Sequence, residues 1–336
     1  MSLFVTGGTG FIGDALVRRL AAEGHAVTAL ARAPERAPTI DGVTWVAGDH
    51  ARDDGLERAA PALARADAVA HLAAIRRDFG VPDAELHKVN VASGVELVRR
   101  ATAARRMLLA SSVAVYGHGR RDDPPTSEAH RFAPTKRYGE SKVEAERAMT
   151  AAAAAARTPL VIARPGIVYG PGSTDGMVAN LALLIAARRF RRVGRGRARA
   201  NFLYVDELVD ALVTALVKPD VVGDGGCDDF ILTGPEDVEI RRFIDLVAAA
   251  VEVGVPRVAV PEWLARAAAW SLTTIHRLLR LRAEPFLTRA KVDLFTCDDR
   301  YDTSKARERL GFAPRVSLEE GLPATVDWLR QAGELG

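Results

Sequence analysis

Cysteine is almost absent from this chain of 336 residues, and so are long apolar runs. The two cysteines, Cys227 and Cys297, lie far apart without CxxC spacing, which excludes a disulfide framework and a cysteine zinc site. Charged residues break every apolar stretch before about 18 residues, so no transmembrane segment is predicted. The N-terminus lacks the charged and apolar regions of a signal peptide. These absences predict a cytoplasmic protein in a reduced compartment.

A large excess of charge is also missing. Lysine and arginine number 46 against 43 acids, a net charge of +3, which is too small to indicate a nucleic-acid partner. The seven histidines show no HExxH or HxxxH spacing, so no metal site is predicted. Apolar residues at 48% and charged residues at 26% are typical of a soluble globular protein. We therefore expect a small-molecule substrate.

Short apolar runs alternate with helical patterns through the first half of the chain. The runs are Leu3 to Thr6, Ala26 to Ala31, Val43 to Ala47, Ala68 to Leu72 and Met107 to Ala110, and the main helical patterns are Phe11 to Ala22, Asp83 to Ala104 and Glu140 to Ala156. Buried runs between helices are typical of parallel strands covered on both faces. The sequence predicts an α/β fold with a doubly wound parallel sheet, a Rossmann domain.

From Arg164 onward the chain is richer in proline and glycine, which indicates a second region. Two later apolar runs, Phe202 to Val205 and Phe230 to Thr233, are expected to return to the sheet. We predict a Rossmann domain of residues 1–165 with 202–234. A smaller α+β cap of residues 166–201 with 235–336 is expected to bind the substrate.

A glycine-rich turn joins the first predicted strand to the first predicted helix, with the sequence Gly7-Gly8-Thr9-Gly10-Phe11-Ile12-Gly13. The pyrophosphate of a dinucleotide needs backbone that approaches without side chains, together with the free N–H groups of a helix N-terminus. The motif therefore predicts a dinucleotide cofactor bound by Gly7, Gly10, Phe11, Ile12 and Gly13.

The end of the second strand distinguishes two cofactors. Ala31 and Arg32 stand there in place of a carboxylate that would accept hydrogen bonds from a ribose 2′-hydroxyl. Arginine suits a 2′-phosphate, so NADP is favoured over NAD, although a solvated arginine is the alternative. After the third strand, Asp49 is positioned to accept a hydrogen bond from the adenine amino group, next to His50. An ordinary surface turn explains Asp49 equally well.

Tyr138 and Lys142 are four residues apart, which makes them neighbours on one face of a helix. A free tyrosine has a pKa of about 10, and a nearby ammonium group stabilises its phenolate. Ser112 follows the fifth strand, at the sheet edge where open α/β proteins bind ligands. There its hydroxyl could polarise a substrate carbonyl while Tyr138 transfers the proton.

Together these residues resemble the extended short-chain dehydrogenase/reductases, the NAD-dependent epimerase/dehydratase group. The resemblance is nearly full length and includes VTGGTGFIG (Val5 to Gly13), Gly48-Asp49, HLAA (His71 to Ala74), Asn90, SSVAVYG (Ser111 to Gly117), YGESK (Tyr138 to Lys142), RPGIVYGPG (Arg164 to Gly172), FLYVDEL (Phe202 to Leu208) and YDTSKARERLGFAP (Tyr301 to Pro314). It implies that Ser112, Tyr138 and Lys142 are catalytic and that Lys142 also binds the nicotinamide ribose. The residues it implies around the cofactor are Leu72, Ala73, Ala74, Pro165 and Val168. It also implies a homodimer packed through Rossmann-domain helices, including the helix of Tyr138.

Two departures separate the chain from the nucleotide-sugar members it resembles. Ile167 stands where they usually carry asparagine, and Ala200 where they tend to carry arginine. The tail from Pro261 to Pro314 instead resembles the 3β-hydroxysteroid dehydrogenase branch. We therefore predict an NADP-preferring oxidoreductase that interconverts a secondary alcohol and a ketone on a 3β-hydroxysteroid-like or 3-oxo lipid substrate. A nucleotide-sugar epimerase, dehydratase or reductase is the alternative, and a non-catalytic NADP sensor is disfavoured because all three catalytic residues are present.

Two further segments each fit more than one function. Residues 263–282 combine an amphipathic apolar pattern with arginines, which fits a lid over a lipid-like substrate, peripheral contact with a membrane, or an ordinary cap helix. Residues 188–199 hold seven arginines, which fit a solvated face, a site for an anionic small substrate or, least well, a nucleic-acid site.

Overall fold

The computed structural model of the protein describes residues 1–77, 79–119, 123–222, 226–255, 258–279, 285 and 287–335. The strands are β1 (Ser2–Thr6), β2 (Ala26–Ala31), β3 (Val43–Ala47), β4 (Ala68–His71), β5 (Arg106–Ala110), β6 (Leu160–Pro165), β7 (Ile167–Tyr169), β8 (Arg192–Val193), β9 (Arg199–Tyr204), β10 (Cys227–Leu232), β11 (Asp237–Glu239) and β12 (Ala259–Val260). The helices are α1 (Phe11–Ala22), α2 (Asp53–Leu63), α3 (Asp83–His87), α4 (Ser93–Arg100), α5 (Arg137–Ala156), α6 (Met177–Ala186), α7 (Val205–Val217), α8 (Ile240–Ala250), α9 (Glu262–Leu278), α10 (Arg289–Thr296), α11 (Ser304–Leu310) and α12 (Leu318–Gln331).

A seven-stranded parallel sheet in the order β10-β6-β5-β4-β1-β2-β3 forms the centre of the fold. The strand order reverses at β1, which pairs with β2 on one side and with β4 on the other. Ligands bind open α/β sheets at the carboxyl ends of the strands at such a reversal. The predicted doubly wound sheet is confirmed.

Helices cover both faces of this sheet. On one face α1, α7 and α11 pack against the strands, and on the other face α2, α4 and α5 do so. Leu16, Val17 and Leu20 recur at helical spacing along α1 and are fully buried. Burying a leucine or valine side chain contributes about 1.5–3 kcal/mol, so this stripe holds the first helix and its preceding glycine turn against the sheet.

The expectation that Phe202 to Val205 returns to the main sheet is wrong. β9 pairs with β7 and β11 in a separate three-stranded sheet, where Phe202 stacks on Phe243 with ring centroids 4.2 Å apart. A short buried apolar run has the same pattern in either sheet, so its periodicity does not identify its partner strands. The second expectation is confirmed, because β10, which includes Phe230, pairs with β6.

A second hydrophobic cluster forms the cap, with α6, α8 and α12 packed around β9. Part of the predicted cap range lies elsewhere. Ala306, Leu310 and Phe312, at and after α11, join the main core instead of the cap cluster. The chain passes from the cap core to the main core at Val205, and α11 belongs to the main core. We therefore propose the same division into a Rossmann domain and a cap with two changes, β9 being assigned to the cap and α11 to the Rossmann domain.

Helix α9 carries most of the large apolar side chains that the described part of the chain exposes. Trp263 and Trp270 are each 71% exposed and Leu278 is 77% exposed. Residues 280–282 of the predicted amphipathic segment lie outside the described residues. No described helix combines the length and the hydropathy needed to cross a bilayer. Membrane contact through α9 stays a prediction.

Candidate active site

The glycine turn lies where the strand order reverses, between the carboxyl ends of β1 and β4. Gly7 has φ +76°, and a Cβ placed on it would lie 2.7 Å from the backbone nitrogen of Ala73. A Cβ on Gly13 would lie 1.9 Å from the carbonyl oxygen of Gly7. Only glycine permits this approach of the turn to α1 and to the loop Leu72 to Ala74.

The first turn of α1 is open to an anion. Gly10 is the N-cap residue, and no side chain caps the helix. The N–H group of Gly10 donates to the carbonyl oxygen of Gly7 at 3.0 Å, which closes the turn. A helix N-terminus without a capping side chain presents N–H donors and the positive end of the helix dipole. The turn and the helix start at Phe11 and Ile12 therefore fit the pyrophosphate of a dinucleotide.

Arg32, directly after β2, is exposed and has no hydrogen-bond or ion-pair partner among the described residues. Burial lowers the pKa of His50 against the opposing charge of Asp49, and the charge of Arg32 lowers it further. Asp49 accepts a hydrogen bond from the N–H of Ala51 at 3.0 Å, and Asp49 Oδ1 lies 3.7 Å from His50 Nδ1. The structure thus brings these three predicted cofactor residues to the sheet edge beside β2 and β3.

The buried His71 and the half-buried His50 lie close to one another near the glycine turn. The rings of His50 and His71 are 5.7 Å apart, and the Nε2 atom of each is buried without a partner among the described residues. Burial and the charges of His50 and Lys142 lower the pKa of His71 well below its usual value, so its ring is neutral. The other nitrogen of His71, Nδ1, lies 2.7 Å from Thr6 Oγ1 at the end of β1.

The three residues predicted to be catalytic come together at the carboxyl end of β5. Ser112 begins a short 3₁₀ turn after this strand, and its side chain forms a hydrogen bond with Tyr138. Lys142 Nζ donates to the carbonyl oxygen of Ala110 at 2.6 Å and lies 5.8 Å from the centre of the Tyr138 ring. A substrate oxygen beside Ser112 and Tyr138 would meet two hydroxyl groups supported by one ammonium group.

Burial shifts both ionisable groups of this site. It raises the pKa of Tyr138 to about 12, against the opposing charge of Arg76 and the hydrogen bond with Ser112. It lowers the pKa of Lys142 to about 8, against the opposing charge of Glu146. At neutral pH the phenol is therefore protonated and able to donate, while the lysine is charged but close to losing its proton.

Asn90 is a buried site residue to which the sequence analysis attached no role. It lies in a π-helical turn, Lys88–Ala92, between α3 and α4, so the predicted helix Asp83 to Ala104 is interrupted there and ends at Arg100. Its amide donates to Ser141 Oγ at 2.9 Å and to the carbonyl oxygen of Ile75 at 3.0 Å, and its oxygen accepts from the Ile75 N–H at 2.8 Å. Asn90 thereby ties the loop after β4 to the helix of Tyr138.

A buried ion pair that the sequence analysis missed lies behind Lys142. Glu146, one turn further along α5, accepts two hydrogen bonds from Arg164, at 2.9 and 2.7 Å, and both side chains are 4% exposed. Ser111 donates to Glu146 at 2.5 Å, so the two adjacent serines have different partners. The sequence could have indicated Glu146, because it lies four residues after Lys142 on the same helix face. Nothing in the sequence indicates that its partner is Arg164 on β6.

The ion pair continues toward the C-terminal region. Arg164 also contacts Asp229 on β10, and Lys305 of α11 binds Asp229 at 3.0 Å and Asp228 at 2.6 Å. Although burial disfavours its charge, the hydrogen bonds and charge of Glu146 raise the pKa of Arg164. Charges of alternating sign therefore run from the helix of Tyr138 to α11.

The remaining predicted cofactor residues are Pro165 and Val168, on the far side of the site. Pro165 is the buried last residue of β6, and Val168 in β7 packs against the main core. A Cβ on nearby Gly172 would lie 3.3 Å from the Phe11 ring, which shows how closely this segment approaches the start of α1. Among the described residues no group of histidine, cysteine and acidic side chains could hold a metal ion.

Comparison with known proteins agrees with this geometry. The sequence model of the NAD dependent epimerase/dehydratase family matches residues 3–228. The chain is 31% identical to the 4-hydroxy-2-methyl-3-oxo-4-farnesyl-3,4-dihydroquinoline-1-oxide ketoreductase of Stigmatella aurantiaca, over 100% of this chain and 98% of that protein. It is 30% identical to the 2-alkyl-3-oxoalkanoate reductase of Stenotrophomonas maltophilia, over 96% and 97%.

Two further similarities are more distant. A 3beta-hydroxysteroid-dehydrogenase/decarboxylase of Arabidopsis thaliana is 26% identical over 78% of this chain and 62% of its own. The solved structure of MoeE5 in complex with UDP-glucuronic acid and NAD has a TM-score of 0.76 at 24% identity, over 99% and 100%, and shares the fold. The chain belongs to the NAD dependent epimerase/dehydratase family, the extended short-chain dehydrogenase/reductases, and is an NAD(P)-dependent oxidoreductase.

Proposed function

We propose that this enzyme interconverts a ketone and a secondary alcohol on an apolar substrate and prefers NADP. The observation that carries the proposal is the grouping of Ser112, Tyr138 and Lys142 at the carboxyl end of β5, beside the glycine turn. A nicotinamide cofactor held by the glycine turn, Lys142 and the loop Leu72 to Ala74 supplies or accepts the hydride when bound.

The protein's own residues then handle the substrate oxygen. In the direction of reduction, Tyr138 donates its phenolic proton to the oxygen as the carbonyl becomes an alcohol. Ser112 donates a hydrogen bond to the same oxygen. The charge of Lys142 stabilises the phenolate that forms when Tyr138 has given up its proton. In the direction of oxidation the proton moves back. Proton transfer by a positioned group contributes about 10²–10⁴ in rate.

Two positions in the cap support an apolar substrate over a nucleotide sugar. Ala200 is buried in the cap core at 3% exposure, and Ile167 lies in β7 against the same cluster. Neither can provide the amide or guanidinium group that holds a diphosphate. Two bacterial relatives, named as a farnesylated quinoline ketoreductase and an alkyl-oxoalkanoate reductase, point in the same direction, whereas a third, 28% identical, is named a UDP-glucose 4-epimerase.

Tyr138→Phe tests the proposal, because it removes the transferred proton and keeps the ring. Turnover of NADP⁺ with 3β-hydroxysteroids and 3-hydroxy lipids should fall at least about 10²-fold, while NADP affinity stays within a few-fold. Tyr204→Phe, a partly buried tyrosine of the cap, is the matched control and should keep wild-type turnover. Retained turnover in Tyr138→Phe would overturn the role of the phenol.

Turnover with two panels of alcohols distinguishes the two proposed substrate classes. Turnover is followed by nicotinamide absorbance, with the steroids and lipids as the first panel and nucleotide sugars as the second, and products are analysed by chromatography. Turnover with the lipid panel alone supports the proposal. Net turnover with nucleotide sugars alone, or their conversion without net cofactor reduction, would instead assign an epimerase, dehydratase or sugar reductase.

A further inference from the structure

A cavity of about 750 Å³ lies in the cap. The loop that begins at Ser112 reaches the wall of this cavity at Gly119. Most of the wall is apolar and is formed by Val193, Ala198, Ala259, Val260, Pro261 and Phe295. The volume is in the range of about 300–1,000 Å³ typical of small-molecule sites. The cavity thus suits an apolar ligand body.

Two arginines of the dense arginine segment, Arg195 and Arg197, also line this cavity. Within the described part of the chain neither side chain has a hydrogen-bond or ion-pair partner. Two other arginines of the segment are engaged, since Arg192 pairs with Asp245 and Arg191 donates to two backbone carbonyl groups. Arg195 and Arg197 are therefore available to a ligand.

The acidic residues of the wall are already paired. Glu262 accepts a hydrogen bond from Arg266 at 2.9 Å. Asp298 accepts one from the backbone N–H of Arg199 at 2.6 Å and lies 3.8 Å from Arg300. The charge that remains uncompensated at the cavity is positive, so it attracts an anion.

The backbone that carries the two arginines is held on both sides. The N–H of Gly194 donates to the carbonyl oxygen of Val260 at 2.9 Å, and the N–H of Arg241 donates to that of Gly196 at 2.9 Å. Gly194 and Gly196 both have positive φ, +62° and +63°. A Cβ on Gly196 would lie 3.1 Å from the backbone of Arg241. Because this loop is already ordered, less conformational entropy is lost when a ligand binds.

We propose that Arg195 and Arg197 bind an oxyanionic head group of the substrate, a carboxylate or a phosphate, while its apolar chain lies in the cavity. Guanidinium groups match such oxyanions with paired, charge-assisted hydrogen bonds. The inference rests on the proposed function in one respect, since it takes the ligand to be the ketone or alcohol that reacts at Tyr138. The substrate class is thereby narrowed from an apolar molecule to an amphipathic anion.

Calorimetric binding without cofactor tests the cavity independently of catalysis. Decanoate, decyl phosphate, 1-decanol and UDP are titrated into the wild type, the double variant Arg195→Gln/Arg197→Gln, and Arg189→Gln, an exposed arginine of the same segment outside the lining. We expect one or both decyl anions to bind at least tenfold more tightly than decanol. The double variant should lose this difference and Arg189→Gln should keep it, with melting temperatures verifying that each variant folds.

The outcome also distinguishes the source of the oxyanion. Preference for decanoate points to a free acid, and preference for decyl phosphate to a phosphate-bearing substrate. Equal affinity for decanol and both anions would overturn the proposal, and so would unchanged anion binding in the double variant. Tight, arginine-dependent binding of UDP in place of the decyl anions would overturn it in favour of a nucleotide.

Kinetics with 9-oxodecanoate, whose ketone and carboxylate lie at opposite ends of the chain, and with its methyl ester separates this inference from the proposed function. We expect the double variant to raise KM for the acid at least tenfold, with little change in kcat and in the KM of the ester. If Tyr138→Phe abolishes reduction of both compounds while the double variant alters neither, the proposed function stands and the oxyanion site fails. If anion binding depends on the two arginines but Tyr138→Phe turns over normally, the site stands and the proposed chemistry fails.

Discussion

At the residue scale, a single exposed guanidinium group is proposed to select the cofactor. Arg32 follows β2 and has no partner within the described residues. A charge-assisted hydrogen bond to a phosphate is worth about 1.5–3 kcal/mol, or about 10- to 150-fold in affinity. Arg32→Ala should therefore lower the ratio of NADP to NAD specificity, measured as kcat/KM, by about that factor. Arg36→Ala is the control, and an unchanged ratio in Arg32→Ala would contradict the proposed NADP preference.

A second prediction at this scale concerns the charge of Lys142. Its pKa is lowered to about 8, so the ammonium form is present below that pH and is lost above it. We expect kcat/KM for ketone reduction to fall as the pH rises through about 8. Glu146 opposes the shift, so Glu146→Gln should lower the pKa of Lys142 further and move this fall to lower pH by about one unit or more.

A pH–rate profile of wild type and variant measures the shift. Ser111→Ala is the matched control, because it removes a neutral donor to Glu146 and leaves the carboxylate charge in place. A merely structural role for Glu146 would lower activity at every pH without moving the profile. Glu146→Gln removes the negative charge that pairs with the buried Arg164, which should lower the stability of the variant. The profile is therefore recorded well below its melting temperature.

At the element scale, the junction between β1 and α1 depends on the absence of side chains. A Cβ on Gly13 would lie 1.9 Å from the carbonyl oxygen of Gly7, so Gly13→Ala must displace either the helix or the turn. We expect the dissociation constant of NADP to rise more than tenfold and the melting temperature to fall. Gly254→Ala is the control, since a Cβ there has no neighbour within 4 Å. Wild-type NADP affinity in Gly13→Ala would show that the turn does not hold the cofactor.

The helix of Tyr138 illustrates how one element serves both chemistry and architecture. Tyr138 and Lys142 face the site, Glu146 pairs with Arg164 beneath it, and Met149 and Ala153 enter the core. Because these positions follow one another at helical spacing, displacement of α5 would disturb all of them together. The buried pair is costly to break from one side, by about 3–5 kcal/mol when a partner is removed.

At the scale of the whole molecule, the C-terminal region joins the two cores. Helix α11 packs against the main sheet and binds β10 through Lys305, whereas α12 packs in the cap through Leu318 and Leu322. The proposed Rossmann domain and cap are therefore connected by packing as well as by the chain crossing at Val205. This connection keeps the cap cavity in a defined relation to the loop from Ser112.

The homodimer implied by the family resemblance is a prediction at the same scale. The far end of α5 exposes small side chains at Ala151, Ala154 and Ala155, a flat surface on which another helix can pack closely. We expect light scattering to give twice the chain mass of 36.1 kDa. Ala151→Arg/Ala155→Arg should give the monomer mass, and Ala249→Arg, on the exposed side of α8 in the cap, should not. A monomeric wild-type protein would contradict the expectation.

Much of the fold and of the candidate site could be predicted from the sequence, because the patterns that indicate them are local. The buried runs of the first half, the glycine turn and the four-residue spacing of Tyr138 and Lys142 each depend on neighbours in sequence. Local geometry turns such spacings into positions on one helix face or one sheet edge. The parallel sheet, its order reversal and the grouping of Ser112, Tyr138 and Lys142 follow from them.

Only the tertiary structure decided which distant groups meet. Whether β9 joins the main sheet or the cap sheet could not be deduced from a short apolar run, since both environments bury it. The ion pair of Glu146 with Arg164, and the different partners of Ser111 and Ser112, depend on how α5 packs across β5 and β6. The same holds for Arg195 and Arg197, because a charge run shows which residues are basic, while packing determines which of them have no counter-ion and line a cavity.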